Sequence, residues 1–256
     1  MIYRMSDAAA VETTEGAALL TGLHAQVLDQ IGLAICGGQL QPGTVLSIDD
    51  LVERYTVSRS VVREVLRVLS SMGMVASRRR IGTLILPAAV WNVYDPQVIR
   101  WRLASEGRLG QLRSITELRG AVEPEAARLA AERATPAEAS SLVGIAAKMW
   151  AAGQGEDEEE FLALDIEFHR LVLASSGNEM FLKLHELVAE VLTGRHHYGL
   201  MPHHPHEQAL QLHAEVAQAI QHHDGDRARE AMLHIMEQAM EEMKSLWRRT
   251  DEQPTP

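Results

Sequence analysis

The sequence predicts a mainly α-helical chain in two parts, a small three-helix domain with a β-hairpin followed by an all-α antiparallel helix bundle. Three observations predict this. Apolar residues recur at helical spacing through most of the 256 residues. Aromatics make up only 4% of the chain, while the helix formers Ala, Leu, Glu, Arg and Met abound. The one clearly strand-like stretch, residues 75–86, surrounds a basic turn directly after an arginine-bearing amphipathic helix.

Residues 1–18 are small and polar and are expected to form a flexible tail. The first domain is expected over residues 19–87. Leu23, Val27, Ile31 and Ile35 keep a helical period, Gly37-Gly38 ends that helix, and Gln41-Pro42-Gly43 turns the chain. Ser47 caps a second short helix, with Asp49 and Asp50 near its positive end and Leu51, Val52 and Tyr55 on its buried side. Beyond Thr56-Val57, Ser58 caps a third helix. Val62, Val65, Leu66 and Leu69 form its apolar stripe, and Arg59, Ser60, Arg63 and Arg67 fall off that stripe. Guanidinium forks on an exposed face suit phosphate oxygens and guanine edges. Gly73 ends this helix. Two extended runs around Arg78-Arg79-Arg80-Ile81-Gly82 then read as a β-hairpin wing. Three helices and a wing make a winged helix-turn-helix, whose third helix enters the major groove by its N-terminus.

A net charge of −11 argues against nucleic-acid binding until its distribution is read. Residues 19–90 carry seven Arg against five acids, and residues 91–256 carry sixteen Lys or Arg against twenty-seven acids. The basic charge is concentrated between Ser58 and Arg80, and a separate acidic region outweighs it. No stretch of about eighteen apolar residues exists, so a membrane span is not expected. The single cysteine, Cys36, excludes an internal disulfide and fits a cytoplasmic protein.

The first domain resembles the DNA-binding domain of the GntR family. The resemblance rests on Gly38-Gln39-Leu40-Gln41-Pro42-Gly43, on Val57-Ser58-Arg59 followed by Val62-Arg63-Glu64-Val65-Leu66, and on Leu69 before Gly73. It implies that Ser58, Arg59, Ser60 and Arg63 contact double-stranded operator DNA and that the wing around Arg80 and Gly82 enters the minor groove. Two positions depart from the family pattern: Thr56 stands where Gly is common, and Ile81 precedes Gly82 in the wing.

Residues 88–102 are expected to form a linker whose Trp91, Val98, Ile99 and Trp101 pack on a neighbouring domain. The helical bundle is expected over residues 103–250. Its segments are Leu109 to Ala131 with an interruption at Pro124, a start at Thr135-Pro136-Ala137-Glu138, Phe161 to Ser175, Glu179 to Thr193, Glu207 to His222 and Arg227 to Arg248. Residues 199–205 read as a loop.

Asp165 and His169 stand four apart, on one helix face. His213 and His234 each lie within the apolar pattern of a later helix. One carboxylate and three imidazoles from three helices can converge on a divalent ion inside a bundle. Such N/O ligation suits zinc first, with nickel, manganese or iron as alternatives. The remaining histidines, among them the cluster His203, His204 and His206, read as ordinary core, surface or loop residues.

The second part resembles the FCD domain, the effector domain of FadR-type GntR regulators. Glu117-Leu118-Arg119 followed by Val122-Glu123-Pro124-Glu125-Ala126-Ala127-Arg128, then Asp165-Ile166-Glu167-Phe168-His169, Gly177-Asn178, His213, Asp224 and His234, occur in its order. The resemblance implies a metal held by Asp165, His169, His213 and His234, with a small carboxylate effector completing its coordination. Arg119 matches a chamber arginine that pairs with that carboxylate, and Arg195 and Asn178 are the further effector contacts expected. Trp91-Asn92, Asp95 and Val98-Ile99-Arg100-Trp101 are similar to the connector of members that answer sugar acids such as gluconate or galactonate. The expected function is a ligand-responsive repressor, not an enzyme, binding a palindromic operator as a homodimer. The competing expectations are a metal-dependent enzyme acting on a small carboxylate and a purely structural metal.

Overall fold

The structure, a computed structural model, describes residues 8–155, 157–200 and 207–251, with side chains placed between residues 22 and 244. The chain divides into two units, Met1–Gly107 and Arg108–Pro256.

In the first unit α1 (Ala8–Cys36) starts earlier than expected: residues 8–18, expected as tail, are helical, while residues 1–7 lie outside the described residues. Three consecutive alanines begin the helix, and alanine has the best intrinsic propensity. Val27, Leu28, Ile31 and Ile35 are buried, and Leu23 is exposed. The helix ends at Gly37-Gly38, with Gly38 in the left-handed region. After β1 (Val45–Leu46), α2 (Ile48–Tyr55) is capped by Ser47, whose hydroxyl accepts from the Asp50 N–H at 3.4 Å. It stops at Thr56, which adopts φ 53°. That left-handed turn explains why glycine is favoured there.

Ser58 caps α3 (Arg59–Ser71), its Oγ accepting from the Val61 N–H at 3.3 Å. Val61, Val62, Val65, Leu66 and Leu69 are buried in a core shared with Ile31, Leu51, Met74 and Ile85. The wing is β2 (Val75–Arg78) antiparallel to β3 (Gly82–Ile85), with Val75 opposite Ile85 and Arg78 opposite Gly82. β1 pairs with β3 and makes a third strand that was not expected, because two residues are too few to show an alternation.

Residues 88–103 are packed on this unit. Trp91 Nε1 donates to the Leu86 carbonyl at 3.0 Å. Asp95 caps α4 (Pro96–Leu103), accepting from the Gln97 N–H at 2.9 Å. Trp101 is buried on α1, its Nε1 donating to Asp29 Oδ1 at 2.9 Å. The ring lies so close to Gly32 that a Cβ there would stand 2.5 Å from ring carbons.

The second unit is helical throughout the described residues. α5 (Arg108–Arg133) runs unbroken through Pro124, contrary to the expected interruption. The missing N–H costs one bond, to the Gly120 carbonyl, and burial of Pro124, Ala126, Ala127 and Ala130 carries the helix past it. α6 (Pro136–Gln154) opens with a reciprocal cap: Thr135 Oγ1 accepts from the Glu138 N–H at 3.3 Å, and Glu138 accepts from the Thr135 N–H at 2.8 Å. α7 (Glu158–Ser175) follows. The single helix expected from residue 179 is two, α8 (Glu179–Leu182) and α9 (His185–His197). His185 Nδ1 lies 2.8 Å from the Leu182 carbonyl, which a continuous helix would pair with the Glu186 N–H. α10 (Glu207–Gln221) and α11 (Gly225–Asp251) complete the bundle. The loop histidines 203, 204 and 206 lie outside the described residues.

α7 packs on α5, α6 and α9, and α10 packs on α5, α6 and α11. These two helices therefore bring any inward polar residue toward the middle of the bundle. Among the described residues no helix is long and apolar enough to cross a membrane.

Candidate functional site

α7 buries Phe168, Val172 and Leu173, and the same inward surface carries Asp165 and His169 one turn apart. α10 brings His213 to them. All three are at most 5% exposed, and one ligand atom from each lies within 4.8 Å of the others. His213 Nδ1 is 2.7 Å from the Ala209 carbonyl one turn back, so Nδ1 donates there and Nε2 is the nitrogen turned to the group. That Nε2 is buried without a hydrogen-bond partner, 3.2 Å from Asp165 Oδ1. His169 Nε2 is 3.4 Å from the same oxygen, and its Nδ1 forms a close ion pair with Glu123.

The charges reinforce one another. Burial opposes ionisation of Asp165, yet the contacts from His169 and His213 hold its carboxyl well below the usual carboxylate range. Burial also works against a charge on Glu123, but Arg119 and His169 bring its pKa down to about 2. Burial lowers and Glu123 raises the pKa of His169, which reaches about 9. Two imidazole nitrogens and a carboxylate, each imidazole with its other nitrogen turned to a carbonyl or a carboxylate, form the donor set of an N/O-ligated divalent ion with oriented ligands. The orphaned His213 Nε2 is the observation that fits a cation best. His234 does not join the group. It is exposed on α11, whose buried stripe is Ala228, Ala231, Met232, Ile235, Met236 and Ala239. Its neighbour Ile235 is inward, but adjacent helical residues point about 100° apart.

The cluster lines a cavity of about 90 Å³. A single water needs roughly 10–15 Å³ by the same measure, so the space has room for a small molecule. Arg119 lines it, 3% exposed, but its guanidinium already pairs with Glu123 one turn along α5. Its NH2 group lies 3.4 Å from His169 Nε2. Arg195 of α9 also lines it, donating to Glu242 of α11 at 2.6 Å; its Nε is buried without a partner. Burial lowers the Arg195 pKa against the pull of Glu242. Asn178 is not part of the cavity lining; its side chain caps α8, accepting from the Met180 N–H at 3.0 Å.

In the first unit Ser58, Arg59, Ser60 and Arg63 are exposed together at the start of α3. Ser58 and Ser60 hydroxyls are 2.7 Å apart, and Arg59 pairs with Asp49 of α2. Arg80 and Gly82 are exposed in the wing, both with positive φ, at 66° and 119°.

Comparison with known proteins matches residues 23–85 to "Bacterial regulatory proteins, gntR family" and residues 114–238 to the FCD domain. The galactonate operon transcriptional repressor of Escherichia coli (strain K12) is 30% identical to this chain, over 86% of it and 96% of its own length. The chain belongs to the GntR family. Another relative, the HTH-type transcriptional regulator LutR of Bacillus subtilis (strain 168), is 30% identical over 62% of this GntR protein and 70% of its own length. A solved structure of E. coli McbR/YncC covers 88% of the chain and 98% of its own, with TM-score 0.51 at 21% identity, and shows the same fold. This GntR protein is a DNA-binding transcriptional regulator and not an enzyme.

Two cavity residues of this GntR protein, Gln238 and Glu242, and the buried partner of a third, Glu123, had no role in the sequence expectations. Glu123 stands four residues after Arg119, and that spacing alone announces an ion pair on a helix. Gln238 and Glu242 line the cavity from α11 and have the same spacing, but nothing in an acidic, mostly solvated helix singles them out.

Proposed function

We propose that this GntR regulator is a cytoplasmic homodimeric repressor that releases a palindromic operator when a small carboxylate, a sugar acid such as galactonate or gluconate, enters the bundle. Residues 19–87 would read DNA, residues 88–102 connect, and residues 103–250 sense the effector. The observation that carries the reading is the buried meeting of Asp165, His169 and His213 with Arg119 and Arg195 around one small cavity. Such a donor set holds a divalent cation, zinc first, and three protein ligands leave coordination open for an anion. A bound ion would supply positive charge and an open position for the effector's carboxylate. The protein's own part is to orient both imidazoles through Ala209 and Glu123, to exclude bulk water and to offer guanidinium donors. Arg119 is satisfied by Glu123 and Arg195 by Glu242, and of the two only Arg195 keeps a buried donor, its Nε, for a polar group of the effector.

On the DNA side, Ser58, Arg59, Ser60 and Arg63 present a polar first turn at the end of the helix that enters a groove. Arg80 and Gly82 present the wing. A recognition helix reads few base pairs, so two copies on a two-fold site give the needed length. Effector shifts operator affinity by its preference for one state of the protein over the other. The relative named as a galactonate operon repressor supports both the sign and the ligand class. The test is a gel-shift titration at fixed salt, with metal-loaded protein and D-galactonate, D-gluconate or no addition. Release of operator by an aldonate, abolished in the His213→Ala variant, is expected. Operator release that is unaffected by His213→Ala and by chelation would remove the metal from the mechanism.

A further inference from the structure

We propose that Gln238 and Arg195, held by Glu242, read a hydroxyl group of the effector, so that the chamber selects carboxylates carrying further hydroxyls over plain or doubly charged acids. This rests on the carboxylate-sensing reading above and adds the residues that set its specificity.

Glu242 accepts from Arg195 and from Gln238. Arg195 NH2 donates to its Oε2 at 2.6 Å, and Gln238 Nε2 donates to its Oε1 at 3.2 Å. The Glu242 carboxylate already accepts from the Arg195 guanidinium, and an ionised carboxylate has no hydrogen to give, so the Gln238 amide turns its NH2 toward Glu242. The amide orientation is thereby decided by the network. Its carbonyl Oε1 then faces away, buried and without a hydrogen-bond partner, and so is the Arg195 Nε. Arg195 is only 4% exposed. Gln238, Glu242 and Arg195 all line the cavity that holds Asp165, His169 and His213. The cavity wall therefore presents one unsatisfied acceptor and one unsatisfied donor, each of which costs free energy until it is paired.

The chemistry that satisfies both is narrow. A second carboxylate on the ligand can accept from Arg195 Nε but has no hydrogen for Gln238 Oε1. An alkyl chain satisfies neither. A hydroxyl donates and accepts, and so it can meet either atom or bridge the two. Charge points the same way. Asp157, Glu158, Asp165 and Glu242 line the cavity, and Arg119 is already compensated by Glu123. One ligand carboxylate can be matched by a cation at the Asp165 cluster, but for a second the two lining arginines among the described residues are already paired, Arg119 with Glu123 and Arg195 with Glu242. The site that results takes a monocarboxylic, polyhydroxylated acid.

The experiment is calorimetric titration of the metal-loaded full chain with D-galactonate, D-gluconate, L-lactate, succinate and hexanoate. Hexanoate matches the aldonates in chain length without their hydroxyls. At least one aldonate should bind about tenfold or more tighter than hexanoate and succinate, because a site built around hydroxyl partners rejects analogues that leave them unpaired. Gln238→Met, similar in length but without the acceptor, should weaken aldonate binding about tenfold. If hexanoate or succinate binds the unaltered protein as tightly as the aldonates, the hydroxyl reading is overturned and carboxylate sensing stands. Equal aldonate affinity in folded Gln238→Met protein overturns it in the same way. If none of the five acids binds metal-loaded protein, the carboxylate reading itself fails and this inference falls with it. Should Gln238→Met not fold, the comparison of aldonates with hexanoate on the unaltered protein decides alone.

Discussion

The arginines of α3 and those of the bundle both make ion pairs, in opposite surroundings. Arg59 pairs with Asp49 and Arg67 with Glu64 where the arginine side chains keep 59% and 75% of their exposure. Such pairs are worth roughly 0–1 kcal/mol. Arg119 and Glu123 are 3% and 2% exposed, and Arg195 is 4% exposed beside Glu242. Breaking a pair of that kind by removing one partner costs about 3–5 kcal/mol, because a bare charge stays in the interior. The exposed arginines can exchange a carboxylate for a DNA phosphate at little cost, which suits a surface that must bind and release. The buried ones are committed to each other, which suits a chamber whose polar atoms must wait in fixed positions.

The sharpest test of this contrast replaces the acid of each pair. Glu123→Leu should destabilise the second unit by about 3–5 kcal/mol. Asp49→Ala should cost under about 1 kcal/mol and leave operator binding unweakened, since it only releases Arg59. Denaturant unfolding of both variants, with a gel-shift titration of the second, checks this; similar costs would erase the distinction. The same acid predicts a pH effect. Its folded pKa of about 2 lies below its ordinary value, so its contribution is present above about pH 4.5 and is lost as pH falls toward 2. Glu123→Gln protein should lack that part of the acid-induced loss.

Next in size are the recognition contacts. Arg63→Ala should weaken operator binding by about 1–3 kcal/mol if its guanidinium holds a guanine edge, while metal content and the melting of the second unit stay as they were. A comparable effect is expected in the chamber from Glu123→Gln, which loosens the orientation of His169 and should reduce metal affinity about 10–100-fold without changing operator affinity of metal-loaded protein. Competition with a chromophoric chelator measures it.

Smaller still is Thr56→Gly. A β-branched residue at φ 53° is strained, and glycine removes that strain, so the first unit should gain about 1 kcal/mol. The smallest effects belong to the two residues that the structure moves out of the site. Asn178→Ala should cost about 1 kcal/mol through its lost cap, and effector affinity should not change. His234→Ala should leave metal content at the wild-type level, and loss of metal in that variant would restore it as a ligand.

The helices of the first unit were legible because their signals are local. Ser47 and Ser58 cap helices at the turns where the sequence placed them, and the stripe Val62, Val65, Leu66 and Leu69 is buried. The wing was legible from two runs around a basic turn, whereas β1 exists only because β3 offers it an edge. In the bundle, Asp165 and His169 share a face by their spacing alone. The approach of His213 to them depends on how α10 lies against α6, α5 and α11.

What the sequence determined by itself, then, was set by single helices and turns: the starts at Ser47, Ser58 and Thr135, the exposed arginines of α3 and the shared face of Asp165 and His169. What only the tertiary structure decided was which polar residues face inward together. His234 and Gln238 sit one turn apart on α11, and its place in the apolar pattern beside Leu233 and Ile235 gave His234 the stronger claim. Packing buries the stripe through Ile235 and Ala239 instead, which leaves His234 in solvent and turns Gln238 and Glu242 to the cavity. The reason is physical: a helix carries polar residues all round its surface, and only the neighbours it packs against choose which of them lose their water.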